Sequence, residues 1–409
     1  MATHDWALAA EPREWQLQAL ATWESNHQGI AAVVTGAGKT ILAEMCMLRY
    51  RREFPAARFV IVVPTLSLLD QWYVSLREDL HVRDEDIATY SGEGRAREPR
   101  LINLVVLNTA REVAPGLAHG EAVMLIVDEC HRAASPVNAR ALSGNYTATL
   151  GLSATPERQY DEGFEEFLVP ALGPIITRYD YNSALEDGVI SRFKLVNVGI
   201  ELNAVERGAY DKITRKIAPL MKRARDGEEV DDRLKRLLMQ RASVAANAKM
   251  RIPAALRIVS AHRGARTLVF HERIAAAEEI KAALTSRGVN ATIYHSRIGS
   301  VTRRDNLRMF RRGLFDVMVS CRALDEGTNV PETTIAVIAS STASVRQRVQ
   351  RLGRVLRPAP GKDLAVVYTV YATDVEEERL VKEASDLVGA ESVTWQRMRL
   401  EANGKVNRS

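Results

Sequence analysis

Along the first half of the chain, short runs of β-branched and aliphatic residues recur between longer stretches of helical character. Gly29–Thr35, Phe59–Pro64, Ile102–Asn108, Val123–Val127 and Thr147–Ser153 read as buried strands, each leading into a turn. A second set, Thr267–His271, Thr292–His295, Asp316–Cys321, Ile335–Ala339 and Ala365–Tyr371, repeats the pattern. Strands alternating with helical stretches predict parallel sheets, and the two sets predict two α/β domains in tandem.

Between the sets, Glu206–Arg263 is charged and helix-favouring, with Leu234, Leu237, Leu238, Ala245, Ala248 and Ile252 in roughly helical spacing. It predicts one or more long helices attached to the second domain, with Arg225–Glu229 as an exposed turn. After Asp374 the pattern predicts one amphipathic helix, Val375–Leu387, capped by Thr373 or Asp374, and then a polar, poorly ordered end. The expected divisions are therefore residues 1–195 for the first domain, 196–264 for a connector strand and helical insertion, 265–373 for the second domain and 374–409 for the C-terminal helix and tail.

Composition agrees with folded domains, since 46% of the 409 residues are hydrophobic. No apolar run approaches the length a membrane span needs, and the N-terminus lacks the basic-then-apolar layout of a secretory signal, so a cytoplasmic location is expected. Three widely spaced cysteines, Cys46, Cys130 and Cys321, suggest neither a zinc site nor a disulfide framework. The net charge of +5 favours a polyanionic partner only weakly. Local clusters say more: six arginines against one acid from Arg297 to Arg312, and five with no acid from Arg346 to Arg357. Each reads either as a solvated helix face or as a contact for phosphates.

Val33-Val34-Thr35-Gly36-Ala37-Gly38-Lys39-Thr40 follows an apolar run and has the parts needed to wrap a triphosphate. Glycines let backbone N–H groups approach a polyanion, the lysine supplies a point charge and the threonine hydroxyl can ligate Mg²⁺. The first glycine of the general pattern is replaced by Val33, so the loop alone also fits a glycine-containing turn that begins a helix. Val123–Val127 then delivers Asp128 and Glu129 to the C-terminal end of a strand, where α/β sheets bind ligands. Beside a phosphate loop, Asp128 would hold Mg²⁺ and Glu129 would orient and deprotonate the attacking water.

The order of these motifs resembles that of superfamily 2 helicases and translocases, which carry a D-E-x-H motif on two RecA-like domains, and the resemblance spans nearly the whole chain. Pro12-Arg13-Glu14-Trp15-Gln16 resembles the adenine-reading motif, with Gln16 as the amide that would contact the base. Ser153-Ala154-Thr155 resembles the motif that links hydrolysis to nucleic-acid movement, a network that His131 would join. Gln350-Arg351-Leu352-Gly353-Arg354-Val355-Leu356-Arg357 matches Q-x-x-G-R-x-x-R at every fixed position. The resemblance implies that Arg354 and Arg357 reach the triphosphate from the second domain. Asp325 and Gly327, in Ala323–Pro331, would be coupling residues beside the interdomain cleft. Thr65, Asn108, Thr109, Ser296, Arg297 and Arg322 are the implied nucleic-acid contacts, although serine and threonine after strands also serve as plain helix caps.

Within the superfamily, Asp128–Pro136, Arg241–Lys249 and Val319–Pro358 look most like the XPB and UvsW type. The resemblance implies an ATP- and Mg²⁺-dependent DNA helicase or translocase that steps along duplex or forked DNA as its domains open and close. It also implies a helical insertion that either grips duplex or packs as a scaffold on the second domain, and loading specificity supplied by a protein partner. Two other readings remain at this level: an RNA-dependent ATPase, and a nucleotide-controlled motor subunit of a restriction, repair or antiviral-defence complex.

Overall fold

The computed structural model describes residues 6–156, 163–189, 192–225, 232–321, 333–340, 364–384 and 390–398. They fall into two compact units, residues 6–189 and 192–398. Each is a parallel α/β sheet, as the alternation of runs predicts. Among the described residues no helix is long and apolar enough to cross a membrane.

In the first unit the strands are β1 (Ile30–Val33), β2 (Arg58–Val63), β3 (Ile87–Ser91), β4 (Gly94–Arg95), β5 (Ile102–Val106), β6 (Val123–Asp128), β7 (Ala148–Ser153) and β8 (Ile175–Tyr179). They line up as β4-β3-β5-β2-β6-β7-β1-β8, parallel apart from the β3–β4 hairpin. Helices α1 (Glu14–Glu24), α2 (Lys39–Glu53), α3 (Leu66–Glu78), α4 (Leu107–Leu117), α5 (Val169–Leu172) and α6 (Tyr181–Glu186) connect and flank them. Every residue of β1, β5, β6 and β7 is buried, as expected for strands covered on both faces. Those are strands whose apolar runs announce them. Edge strand β8, with only its last residue buried, carries no such run.

The second unit contains β9 (Phe193–Gly199), β10 (Thr267–Phe270), β11 (Ala291–Tyr294), β12 (Val317–Ser320), β13 (Ile335–Ile338), β14 (Ala365–Tyr371) and β15 (Ala390–Arg397). Their order is β11-β12-β10-β13-β14-β9-β15, parallel throughout. Its helices are α7 (Ala204–Arg225), α8 (Asp232–Ala246), α9 (Arg251–Ala261), α10 (Ile274–Ser286), α11 (Ser300–Arg311) and α12 (Asp374–Ala384). Where the pattern predicts only a polar end, β15 forms the sheet edge beside β9; its mostly exposed residues give no apolar signal.

A buried arginine fastens the helical segment to this sheet. Arg251 is fully buried at the start of α9. Its Nε donates to the Ala245 carbonyl at the end of α8 (2.8 Å), its Nη1 to the carbonyls of Ala339 (2.9 Å) and Val370 (2.6 Å), and its Nη2 to Glu376 Oε1 (2.6 Å). The other Glu376 oxygen accepts the Ala372 N–H, so the carboxylate is satisfied as well as paired. The arginine-rich α11 is likewise partly structural: Arg303 is buried, Arg308 pairs with Asp305, and Arg266 donates to the carbonyls of Phe310 and Arg311 at its C-terminal end.

His271 and His295 directly follow β10 and β11, both buried, each accepting at Nδ1 the N–H of the residue two positions on. Burial, reinforced by Arg251 and Arg273, pulls His271 down from 6.5 to about 4. The fold thus favours its neutral form, and that stabilisation is complete above the unfolded value and is lost as pH falls towards the folded one. We expect this group to make the second unit about 2 kcal/mol less stable at pH 5 than at pH 7. Urea unfolding at both pH values should show the difference shrinking by that amount in His271→Gln.

Candidate functional site

The loop between β1 and α2 takes its shape from two glycines. Gly36 and Gly38 have φ of +88° and +103°, in the left-handed region that costs glycine least. A Cβ at Gly38 would come within 2.7 Å of Gln16 Nε2. Lys39 is the first residue of α2, so the loop 35–38 leads into a helix N-terminus with its free N–H groups and positive dipole end. Arg13 and Gln16, at the start of α1, fasten onto the loop from outside. Arg13 Nη1 donates to the Ala37 carbonyl at 2.8 Å and Gln16 Nε2 to the Gly38 carbonyl at 2.9 Å, while Gln16 Oε1 accepts the Arg13 N–H.

Because β7 lies between β1 and β6 in the sheet, the C-terminal ends of β6 and β7 flank the same loop. Asp128 ends β6, and Glu129 turns the chain with φ +50°, a conformation that costs a non-glycine residue of order 1 kcal/mol and recurs at functional sites. Lys39 Nζ donates to Glu129 Oε1 at 3.1 Å, both side chains being buried. Glu129 Oε2 lies 3.4 Å from His131 Nδ1, which is 2.9 Å from Ser153 Oγ, and that oxygen accepts the Thr155 N–H at 3.1 Å. One polar chain therefore runs from the phosphate loop through the acidic motif to the turn after β7.

Electrostatics separate the two carboxylates. Burial pushes the Asp128 acid well above the usual carboxylate range against the pull of Lys39, and the charge of Glu129 adds to the rise. Glu129, although buried, is held below that range by Lys39 and His131. Burial opposes the Lys39 charge, but Glu129 and Asp128 outweigh it and hold the ammonium protonated. Such a pair offers an ionised base beside an acid waiting for a cation. A divalent ion suits this donor set: Asp128 gives a hard, buried oxygen ligand whose negative charge is costly, and Thr40 a hydroxyl next to the loop. Among the described residues no group of three His, Cys, Asp or Glu makes an all-protein cage.

Sequence reasoning missed Trp72. It sits on α3, buried, and its indole Nε1–H donates to Asp128 Oδ2 at 2.9 Å. No spacing rule connects residues 72 and 128; the only hint was a tryptophan on the helix after Val63-Pro64-Thr65.

The implied nucleic-acid contacts are placed unevenly. Thr65 caps α3, its hydroxyl accepting the Leu68 N–H at 3.3 Å. Asn108 is exposed and accepts from Arg111 at 2.6 Å, whereas Thr109 is buried in the first turn of α4. Ser296 and Arg297 are exposed just after β11. Arg322, Asp325, Gly327, Gln350, Arg354 and Arg357 lie outside the described residues.

Residues 9–158 match the family model of the type III restriction enzyme res subunit, and residues 249–359 match that of the helicase conserved C-terminal domain. The chain is 27% identical over 366 residues to the DNA 3'-5' translocase XPB2 of Sulfurisphaera tokodaii, covering 85% of this chain and 79% of that one. It is 26% identical over 389 residues to the DNA 3'-5' helicase XPB of Kineococcus radiotolerans, covering 92% of this chain and 62% of that one. The solved structure of S. cerevisiae Dbp5 bound to RNA and ADP BeF3 superimposes with a TM-score of 0.60 at 13% identity, covering 95% of this chain and 90% of that one. At that identity the likeness shows the fold alone, two tandem RecA-like domains.

Proposed function

Because the chain belongs to the superfamily 2 helicases, of the XPB type and hydrolysing ATP, we propose that it couples Mg²⁺-ATP hydrolysis to movement along DNA, or to remodelling it. The loop 35–40 holds the triphosphate, with Lys39 on its terminal phosphates and Gln16 and Arg13 fixing the loop and the base. Thr40 and Asp128 hold the Mg²⁺, which supplies charge neutralisation and orientation of the phosphates. Glu129 accepts the proton of the attacking water once Lys39 turns to the phosphates. By the resemblance, Gln350, Arg354 and Arg357 would stabilise the transition-state charge, and Asp325 and Gly327 would be coupling residues.

The observation that carries this reading is the continuous polar chain Lys39–Glu129–His131–Ser153–Thr155. A change at the terminal phosphate alters the partner of Lys39, and hence of Glu129 and His131, and so reaches the turn at 153–155. In this account Thr65, Asn108, Ser296, Arg297 and Arg322 belong to the track, with contacts to phosphates rather than base edges, whereas the buried Thr109 has no surface for such a contact and drops out of the set. The helical segment α7–α8 grips duplex from the side, and a protein partner supplies loading specificity.

Displacement of a triplex-forming strand from duplex DNA tests the motor directly. The wild-type chain should displace the strand with ATP and Mg²⁺ and lose that activity with a non-hydrolysable ATP analogue. Displacement that is equal with the analogue removes hydrolysis from the movement.

A further inference from the structure

Trp72 is one of five tryptophans in the chain, and no part of the nucleotide-site reading uses it. An indole has a single donor and no acceptor, so a buried one usually finds an acceptor. Trp23, equally buried in the same core, meets that need with the backbone carbonyl of Thr149 at 2.9 Å. Trp72 instead donates to a buried carboxylate, Asp128 Oδ2. The other oxygen, Oδ1, accepts the Glu129 N–H at 2.9 Å. Each oxygen therefore has one donor fixing the plane of the carboxylate and keeps lone pairs for another partner.

The helix bearing this indole is anchored at three points. Thr65 caps its N-terminus, Ser75 Oγ donates to Glu44 Oε1 on α2 at 2.8 Å, and Trp72 reaches β6. Helix α3 is thus fastened both to the helix that follows the phosphate loop and to the acidic motif.

We propose that Trp72 is a positioning residue for Asp128: its indole N–H orients the carboxylate toward a divalent cation and ties occupancy of that cation to α3. The inference rests on the nucleotide-site reading. Partners that orient a metal-binding carboxylate in this way are worth 10- to 100-fold in metal affinity. A purely packing role would affect nucleotide binding with and without metal alike.

The test measures calorimetric affinity for a non-hydrolysable ATP analogue, with Mg²⁺ and with EDTA, in the wild-type chain and in Trp72→Phe, which keeps an aromatic ring and removes the donor. In the variant, the gain in affinity that Mg²⁺ confers should fall by about 10- to 100-fold, with the metal-free affinity retained. An unchanged Mg²⁺ gain, or an equal loss under both conditions, overturns the proposal. No analogue binding by the wild-type chain overturns the nucleotide-site reading itself and is told apart by that. Should Trp72→Phe not fold, 5-fluorotryptophan labelling of the wild-type chain decides, with the Trp72 resonance assigned through Phe variants of the other four tryptophans. That resonance should move when Mg²⁺ is added to the analogue complex, and one that stays in place overturns the proposal.

Discussion

Replacing Glu129 with glutamine is expected to lower ATP turnover by about 10²- to 10⁴-fold, the range a positioned general base contributes, while ATP still binds. Glutamine is isosteric and keeps an oxygen for Lys39, but its amide cannot accept the proton of the attacking water. The substitution also removes the charge that Lys39 and His131 hold ionised, so a buried ammonium is left without its counter-charge until phosphates replace it. Nucleotide affinity should therefore be kept or increased. Single-turnover hydrolysis measured alongside equilibrium ATP binding separates the two effects. Turnover within a few-fold of wild type takes Glu129 out of the chemistry, and loss of binding places its role in holding the loop together.

Arg251→Ala is expected to destabilise the second unit by about 3–5 kcal/mol, the cost of breaking a buried ion pair by removing one partner. The truncation leaves Glu376 without its cation and strips donors from the carbonyls of Ala245, Ala339 and Val370. These groups are brought together from the end of α8, the end of β13, the end of β14 and the start of α12, so the loss is not local to α9. Chemical denaturation of the two variants separates the ion pair from the carbonyl contacts: Glu376→Gln, which keeps an acceptor for the guanidinium, should cost much less. A loss below about 0.5 kcal/mol for Arg251→Ala, within the range of an ordinary surface change, contradicts this description of the joint.

The placing of the glycine loop and the acidic pair at neighbouring strand ends was legible because each is a short run of consecutive residues. Gly36, Gly38 and Lys39 share one turn, and Asp128 and Glu129 end an apolar run whose burial on both faces is visible in its residue types. The parallel α/β architecture was legible for the same reason, from strands such as Phe59–Pro64 and Val123–Val127. What escaped the sequence depends on neighbours distant in the chain. The Trp72–Asp128 bond spans 56 residues, and Arg251 meets a carbonyl 119 residues away. Strand β15 is held by pairing with β9 and shows mostly polar, exposed residues. The arginine run at 297–312 looked uniform in sequence, yet the fold divides it, burying Arg303 and pairing Arg308 within its own helix. Charge counting alone cannot make that distinction.

The most direct test of the central claim is steady-state ATP hydrolysis with Mg²⁺ at low salt. No nucleic acid, single-stranded DNA, duplex DNA, forked DNA and RNA would be compared, with Lys39→Ala as the blank. The account predicts turnover stimulated by duplex or forked DNA, weakened by added salt because the contacts are to phosphates, and abolished in Lys39→Ala, whose buried ammonium sits at the centre of the site. Full turnover by Lys39→Ala, or stimulation by RNA alone, would contradict it.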